Sequence, residues 1–558
     1  MIIIIQKINF KEEAVMGHLS SILKLKNILK RHKSILFLDL LGVFFVAVIG
    51  IPIPYITGKI VDEIILSDKK WKMLIILSLI LLVLYFIKYL LSIGTNYMTR
   101  KVNTVVGLDL KYDLIAKAIK LPMGYITKMG QGNLQGRLSE SEMITNTLSA
   151  TIISTLLSSV SAILSLTTML AINIKLGIIV LCMVPIFFMI TRASNTKLTE
   201  KTKEMMNANV VLNAEGFEIL NGIEDIKILN GENACLFKFK EYLSNYMKQT
   251  LKQNKLILII GQNTQLASDL GSLLILFLSC VFIIRGEFTI GLYTSFTLYS
   301  TKILVSASAL SNIGPQLKQL CLSIDRVYEL LNMTDDTEGR KNVIKNRIEN
   351  VKFDAVSFRY NEKCKFVLDN INFKISRGEK ILIKGENGSG KSTLIKLLLG
   401  LYHVEKGKIK YNGIDIDSID LENLRNHIGI VSQKIFLFKG TVLDNIRVGQ
   451  EEVTREDIEK CIDRLKLRTY INKLPNGLDT EVFQNSGISG GQTQVIAFIR
   501  AFVTKKDIII LDEPISNVDQ ETSELILQTL QNYNYDGIII MVSHNTKKME
   551  FITKTIQL

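Results

Sequence analysis

The nine residues Gly385 to Thr393 read GENGSGKST and fit the spacing G-x-x-x-x-G-K-[ST]. Glycines at these positions let backbone N–H groups turn inward on a phosphate, the lysine reaches the β/γ-phosphates and the following hydroxyl meets Mg²⁺. Gly385, Glu386, Asn387, Gly388, Ser389, Gly390, Lys391, Ser392 and Thr393 are therefore candidate contacts for a nucleoside triphosphate, with Ser392 a candidate Mg²⁺ ligand. Further along, DIIILDEP (507–514) is an apolar run ending in two carboxylates. Asp512 suits the Mg²⁺ shell and Glu513 suits polarising an attacking water, because phosphoryl transfer needs positioning and charge control more than covalent chemistry.

Other groups stand at comparable places. Gln433 follows the apolar run IGIVS, where a side-chain amide can ligate Mg²⁺ or orient water, or be a solvated turn residue. ISGGQ (488–492) opens a helix, so Ser489, Gly490, Gly491 and Gln492 make a second anion site at a helix N-terminus. One chain has no use for two phosphate sites unless the second serves a partner's nucleotide. SNVD ends at Asp519, and His544 follows the run GIIIMVS at a place where it could touch the γ-phosphate. Tyr360 ends the alternating run FDAVSFRY with a ring fit to stack on adenine or simply to pack.

The elements that position these groups alternate strand and helix. KILIK (380–384) reads as a buried strand before the loop and TLIKLLL (393–399) as a helix after it, which puts the phosphate at a helix N-terminus. At 558 residues the chain exceeds one core, and its character changes along its length. Residues 1–33 read as a cytosolic N-terminal segment, 34–332 as an all-α transmembrane domain, 333–349 as a linker and 350–558 as an α/β nucleotide-binding domain with a P-loop NTPase fold. Six spans are expected, at about 35–56, 73–93, 148–172, 176–190, 256–284 and 290–313, each near the ~20 residues that cross a bilayer.

Lysine and arginine crowd residues 1–33 and the two long loops (about 97–147 and 192–255) and are sparse in the short loops. The positive-inside rule places the N-terminus, both long loops and the nucleotide domain in the cytosol. The net charge of +14 is thereby accounted for without nucleic acid as a partner. Each long loop has a glycine-punctuated break, at 121–140 and 216–232, readable as a short helix touching the nucleotide domain or as an ordinary turn. Asp39, Lys88, Asp269 and Lys302 lie inside spans, where charge is costly. Asp269 and Lys302 fall at similar depth and are expected to pair or line a cavity. Thr147, Thr151, Ser154, Ser158, Ser161, Ser165 and Thr168 form one helical stripe, either a packed seam or the polar wall of a substrate path. The six cysteines show no C-x-x-C pair, which argues against a zinc site or disulfide framework, and MIIIIQKINFKEE is unlike a cleaved signal peptide.

Taken in order, Tyr360, GENGSGKST, Gln433, ISGGQ, IIILDEP, SNVD and His544 resemble the ATP-binding cassette domain, and six preceding spans with two long cytosolic helix pairs resemble the exporter type with fused membrane and ATPase halves. The resemblance implies a half-transporter that dimerises, as a homodimer or a heterodimer, with each ATP and its Mg²⁺ held between one subunit's phosphate loop and the other's ISGGQ. It implies that Tyr360 stacks adenine, Gln433 senses nucleotide toward the coupling helices near 121–140 and 216–232, Glu513 activates water and His544 clamps the γ-phosphate. Ile488 stands where leucine is usual, TQVIAFIRAF lacks the basic residues common after the signature, and the fourteen residues after His544 suggest a shortened C-terminal end. The implied function is ATP-driven export of a peptide, lipid or drug-like molecule across the cytoplasmic membrane; the alternative is a nucleotide-gated channel or regulatory membrane ATPase. No cysteine precedes Cys182, so the N-terminal cysteine protease of some peptide exporters is not expected. The Ile-, Lys- and Asn-rich composition suggests an AT-rich bacterial genome.

Overall fold

The computed structural model describes residues 21, 23–63, 71–148, 153–483, 487–515, 518–533, 535–543 and 549–558. The chain divides into two compact units, one of Met1–Ile119 and Met129–Met333, the other of Lys120–Lys128 and Thr334–Leu558.

The first unit is helical. Among the described residues four helices are long and apolar enough to cross a membrane: Lys33–Glu63, Trp71–Lys120, Ser154–Ile172 and Glu232–Ile284. The other two expected spans fall on Ile174–Asn221, whose apolar stretch is Ile174–Ile186, and on Ile290–Leu331. Of the two glycine-punctuated breaks, readable as short helices or as turns, the first holds the helix Met123–Met129, ended by Gly130 at φ 79° and grouped up to Lys128 with the second unit, and the second holds Ile223–Ile228, between Gly222 and Gly231.

The first span is not one continuous helix. Proline lacks the N–H that an inner helical position must donate, and the chain breaks between Lys33–Ile49 and Pro52–Ile60. Pro54 leaves the Gly50 carbonyl without its helical donor, and Lys302 Nζ of Ile290–Leu331 donates to it (2.7 Å); on the same face Ser295 Oγ donates to Pro54 O (2.8 Å) and Tyr299 Oη to Ile51 O (2.5 Å). Positions 295, 299 and 302 recur at steps of four and three, which stacks them on one stripe. The expected Asp269–Lys302 pair does not form. Lys302 is committed to Gly50, and Asp269 accepts from Gln265 Nε2 one turn earlier on its own helix (2.9 Å). Equal depth says nothing about which way two side chains point round their helices.

Asp39 is fully buried and accepts from Thr99 Oγ1 (2.9 and 3.1 Å). Gly58 and Gly291 bring two helices into backbone contact, since a Cβ on Gly58 would lie 2.2 Å from Gly291 O. In the hydroxyl stripe, Ser165 is buried and the Ser158 carbonyl accepts from Ser306 Oγ (2.7 Å), as in a packed seam; Thr151 lies outside the described residues.

The second unit is an α/β domain. A parallel sheet runs in the order β11-β3-β10-β9-β6, made of β3 (Lys380–Lys384), β6 (Ile428–Val431), β9 (Ile508–Asp512), β10 (Ile538–Val542) and β11 (Lys554–Gln557). An antiparallel sheet, β2-β1-β4-β5, comprises β1 (Asn350–Phe358), β2 (Leu368–Ser376), β4 (Lys406–Tyr411) and β5 (Ile414–Asp415), and a short antiparallel pair joins β7 (Gly440–Thr441) to β8 (Glu481–Val482). β9 and β10 are buried at all positions, as expected of a parallel sheet covered on both faces. The end of the chain, read above as shortened, still supplies β11, which pairs with β3 and places the Leu558 N–H on Lys384 O (2.8 Å).

Candidate nucleotide site

In an open parallel sheet, ligands bind beyond the carboxyl ends of the strands, and the register shows which side chains meet there. Val431 of β6 lies opposite Leu511 of β9, so Gln433 and Glu513, each two residues on, arrive at the same level. Gln433 Nε2 donates to Glu513 Oε2 at 3.0 Å. Glu513 holds φ 51°, a left-handed conformation seldom taken by a residue with a side chain, and its N–H donates to Val542 O of β10 (2.9 Å). Ile383 of β3 lies beside Val542, and so the phosphate loop emerges at the same edge.

The loop is tightly wound around small residues. A Cβ on Gly385 would lie 2.3 Å from Ser389 Oγ and 3.0 Å from Leu558 O, so a side chain there has no room. Gly390, at φ 96°, caps the helix Lys391–Leu398. Lys391 is buried and its Nζ donates to Gly385 O and Glu386 O, both at 2.9 Å, which parks the ammonium inside the loop with a third N–H to give.

Two polar atoms here are buried without a hydrogen-bond partner among the described residues: Ser389 Oγ and Asp512 Oδ1. Burial, then the charge of Glu513, pushes the Asp512 carboxyl up to about 6, against the pull of Lys391 and Lys396. A buried carboxylate oxygen with no donor is a cost that a cation would remove. No cluster of three or more His, Cys, Asp or Glu side chains suited to a metal occurs among the described residues. This donor set fits Mg²⁺, which is commonly held by one or two carboxylates together with substrate phosphates and water.

Tyr360 is half-exposed beside the helix that the loop opens. Its hydroxyl shares a hydrogen bond with Thr393 Oγ1 (3.0 Å), Lys396 Nζ lies 5.5 Å from its ring centre, and the ring meets Phe358 and Tyr402 edge-on at 5.0 and 5.3 Å. Lys396 and Tyr402 escaped the sequence reading; Lys396 stands one turn beyond Ser392 on the same helix, a spacing that could have flagged it.

Ser489 and Gln492 form a reciprocal capping box on the helix Gly490–Phe502, the serine hydroxyl accepting from Gln492 N (3.2 Å) and the Gln492 amide oxygen from Ser489 N (3.1 Å). Asp519 caps the next helix by accepting from Thr522 N (2.8 Å), and a Cβ on Gly491 would lie 3.3 Å from Asp519 Oδ2. Lys391, Asp512, Glu513, Gln433 and Tyr360 thus gather around the phosphate loop, while Ser489 to Gln492 and Asp519 gather at a second place. His544, Ser516 and Asn517 lie outside the described residues.

Comparison with known families matches both parts of the chain. Residues 36–308 match the ABC transporter transmembrane region and residues 368–516 match the ABC transporter family. A lactococcin-A transport/processing ATP-binding protein of Lactococcus lactis subsp. lactis is 28% identical over 533 residues, covering 95% of this chain and 74% of that protein. The transport/processing ATP-binding protein ComA of Streptococcus pneumoniae is 27% identical over 538 residues, with the same 95% and 74% covered. An alpha-hemolysin translocation ATP-binding protein of Escherichia coli is 25% identical over 487 residues, covering 87% of this chain and 69% of that protein.

Proposed function

Because the chain belongs to the ABC transporters, as an exporter half-transporter with membrane region and ATPase fused, we propose that it exports a polypeptide cargo across the cytoplasmic membrane of a bacterium. The observation that carries the cargo class is the likeness, over 87–95% of this chain, to proteins named for lactococcin-A transport and alpha-hemolysin translocation. ATP hydrolysis coupled to transport is the family's chemistry.

Lys391 turns its free N–H to the β/γ-phosphates, and Tyr360 stacks on adenine. Asp512 and Ser392, with Gln433 in reach, would hold Mg²⁺. When bound, the ion neutralises phosphate charge. Glu513 takes the proton of the attacking water while Gln433, on its other oxygen, holds the carboxylate in place. His544 closes on the γ-phosphate. Two copies of the chain form the working unit, so that Ser489 to Gln492 and Asp519 of one complete the phosphate site of the other. The N-terminus and ATPase face the cytosol, as the basic loops require. Alternating access follows, in which ATP closes the pair of ATPase domains and hydrolysis reopens it.

The test is ATPase activity of the purified protein against panels of peptides, lipids and drug-like molecules. Stimulation by peptides is expected, and stimulation confined to lipids or drugs would overturn the cargo assignment.

A further inference from the structure

The short helix Met123–Met129 lies, up to Lys128, in the same compact unit as the nucleotide domain. Its docking partner there is Tyr402. Thr127 Oγ1 and Tyr402 Oη share a hydrogen bond of 3.1 Å. A Cβ on Gly124 would lie 3.6 Å from the Tyr402 ring, so the helix backbone runs close over it. On its other side Tyr402 packs edge-on against Tyr360, 5.3 Å between centres at 89°. Tyr360 in turn is tied to the helix of the phosphate loop twice, through Thr393 Oγ1 and beneath the Lys396 ammonium. An unbroken series of contacts therefore runs from the phosphate helix through two tyrosine rings to the cytosolic helix.

We propose that Tyr402 is a positioning residue that couples occupation of the adenine side of the nucleotide site to the helix Met123–Met129. This rests on the nucleotide reading above, and it adds a route separate from Gln433. Packed rings do not deform continuously; a base that stacks on Tyr360 fixes that ring, and the edge contact passes the constraint to Tyr402. The Tyr402 hydroxyl then holds or releases Thr127. The division of labour is specific: the ring of Tyr402 supports Tyr360 and lies against the backbone at Gly124, and its hydroxyl makes the hydrogen bond to Thr127.

The experiment uses the full-length protein in lipid nanodiscs. ATP affinity is measured by calorimetry, and hydrogen–deuterium exchange across residues 123–129 is followed with and without ATP. Tyr402→Phe keeps the ring and removes the hydroxyl; it is expected to leave ATP affinity within about twofold while cutting the ATP-induced protection of 123–129 about fivefold. Thr127→Val should do the same, and the double variant no more than either alone, because both remove one bond. Tyr402→Ala should also weaken ATP binding by about tenfold through loss of the ring contact. Wild-type protection in Tyr402→Phe, or additive losses in the double variant, would overturn the coupling while leaving the nucleotide reading intact. Failure of the wild-type protein to bind ATP would overturn both.

Discussion

In the ATPase unit, the apolar runs of β9 and β10 are buried at each position, whereas in the helix Trp71–Lys120 none of the most apolar eighteen-residue stretch is buried within the chain. Both regions are equally rich in isoleucine and leucine, so composition does not separate them; what differs is the company each keeps. A parallel sheet satisfies its backbone across strands and buries both faces against helices of the same chain. A membrane helix satisfies its backbone internally and leaves its apolar side for lipid or another subunit. In the ATPase unit Asp512 Oδ1 and Ser389 Oγ are buried, with no hydrogen-bond partner among the described residues, where a ligand would meet them, while in the membrane unit Ser295, Tyr299 and Lys302 donate to backbone carbonyls around a helix break.

That contrast can be broken in graded steps. The largest effect is expected from Glu513→Gln, which should lower ATP turnover by about 10²- to 10⁴-fold, read by phosphate release, with ATP binding retained. Next is Lys302→Met, which leaves Gly50 O without its donor; a destabilisation of about 1–3 kcal/mol is expected in detergent, measured by thermal unfolding of the membrane unit. Unchanged unfolding would mean that the break is held by other contacts.

Asp512 gives a pH-dependent effect of similar size. Its folded carboxyl is raised to about 6, so the nucleotide-free protein gains from it below its ordinary value near 4 and loses that stability as pH rises through 6. Asp512→Asn should therefore stabilise the nucleotide-free protein above pH 6 by on the order of 2 kcal/mol and flatten its profile between pH 4 and 6. A profile unchanged by the substitution would remove the burial argument. The smallest effect belongs to His403, whose imidazole is raised by its bond to Asp417 (2.8 Å). That stability is present below pH 6.5 and lost as pH rises through the folded value. Both groups are exposed, so His403→Gln should cost under about 1 kcal/mol at pH 6 and nothing at pH 9.

The same contrast explains what the residues alone revealed. The phosphate loop, Asp512, Glu513 and Gln433 were legible because their roles are set by strand ends and short spacings, and the register of β6 against β9 then fixes Gln433 on Glu513. Tyr402 was not legible: its partners lie 42 and 275 residues away, at Tyr360 and Thr127, and no local pattern marks such contacts. The break at Gly50 was passed over because hydropathy runs on smoothly through Pro52 and Pro54. The Asp269–Lys302 pairing failed because counting along helices gives depth without azimuth.

The most direct test of the whole account is transport itself. The protein is reconstituted in proteoliposomes with the ATPase facing outward, and accumulation of labelled peptides is followed on adding ATP. ATP-dependent accumulation by the wild-type protein is expected and none by Glu513→Gln; equal accumulation by both, or peptide movement without ATP, would contradict ATP-driven peptide export.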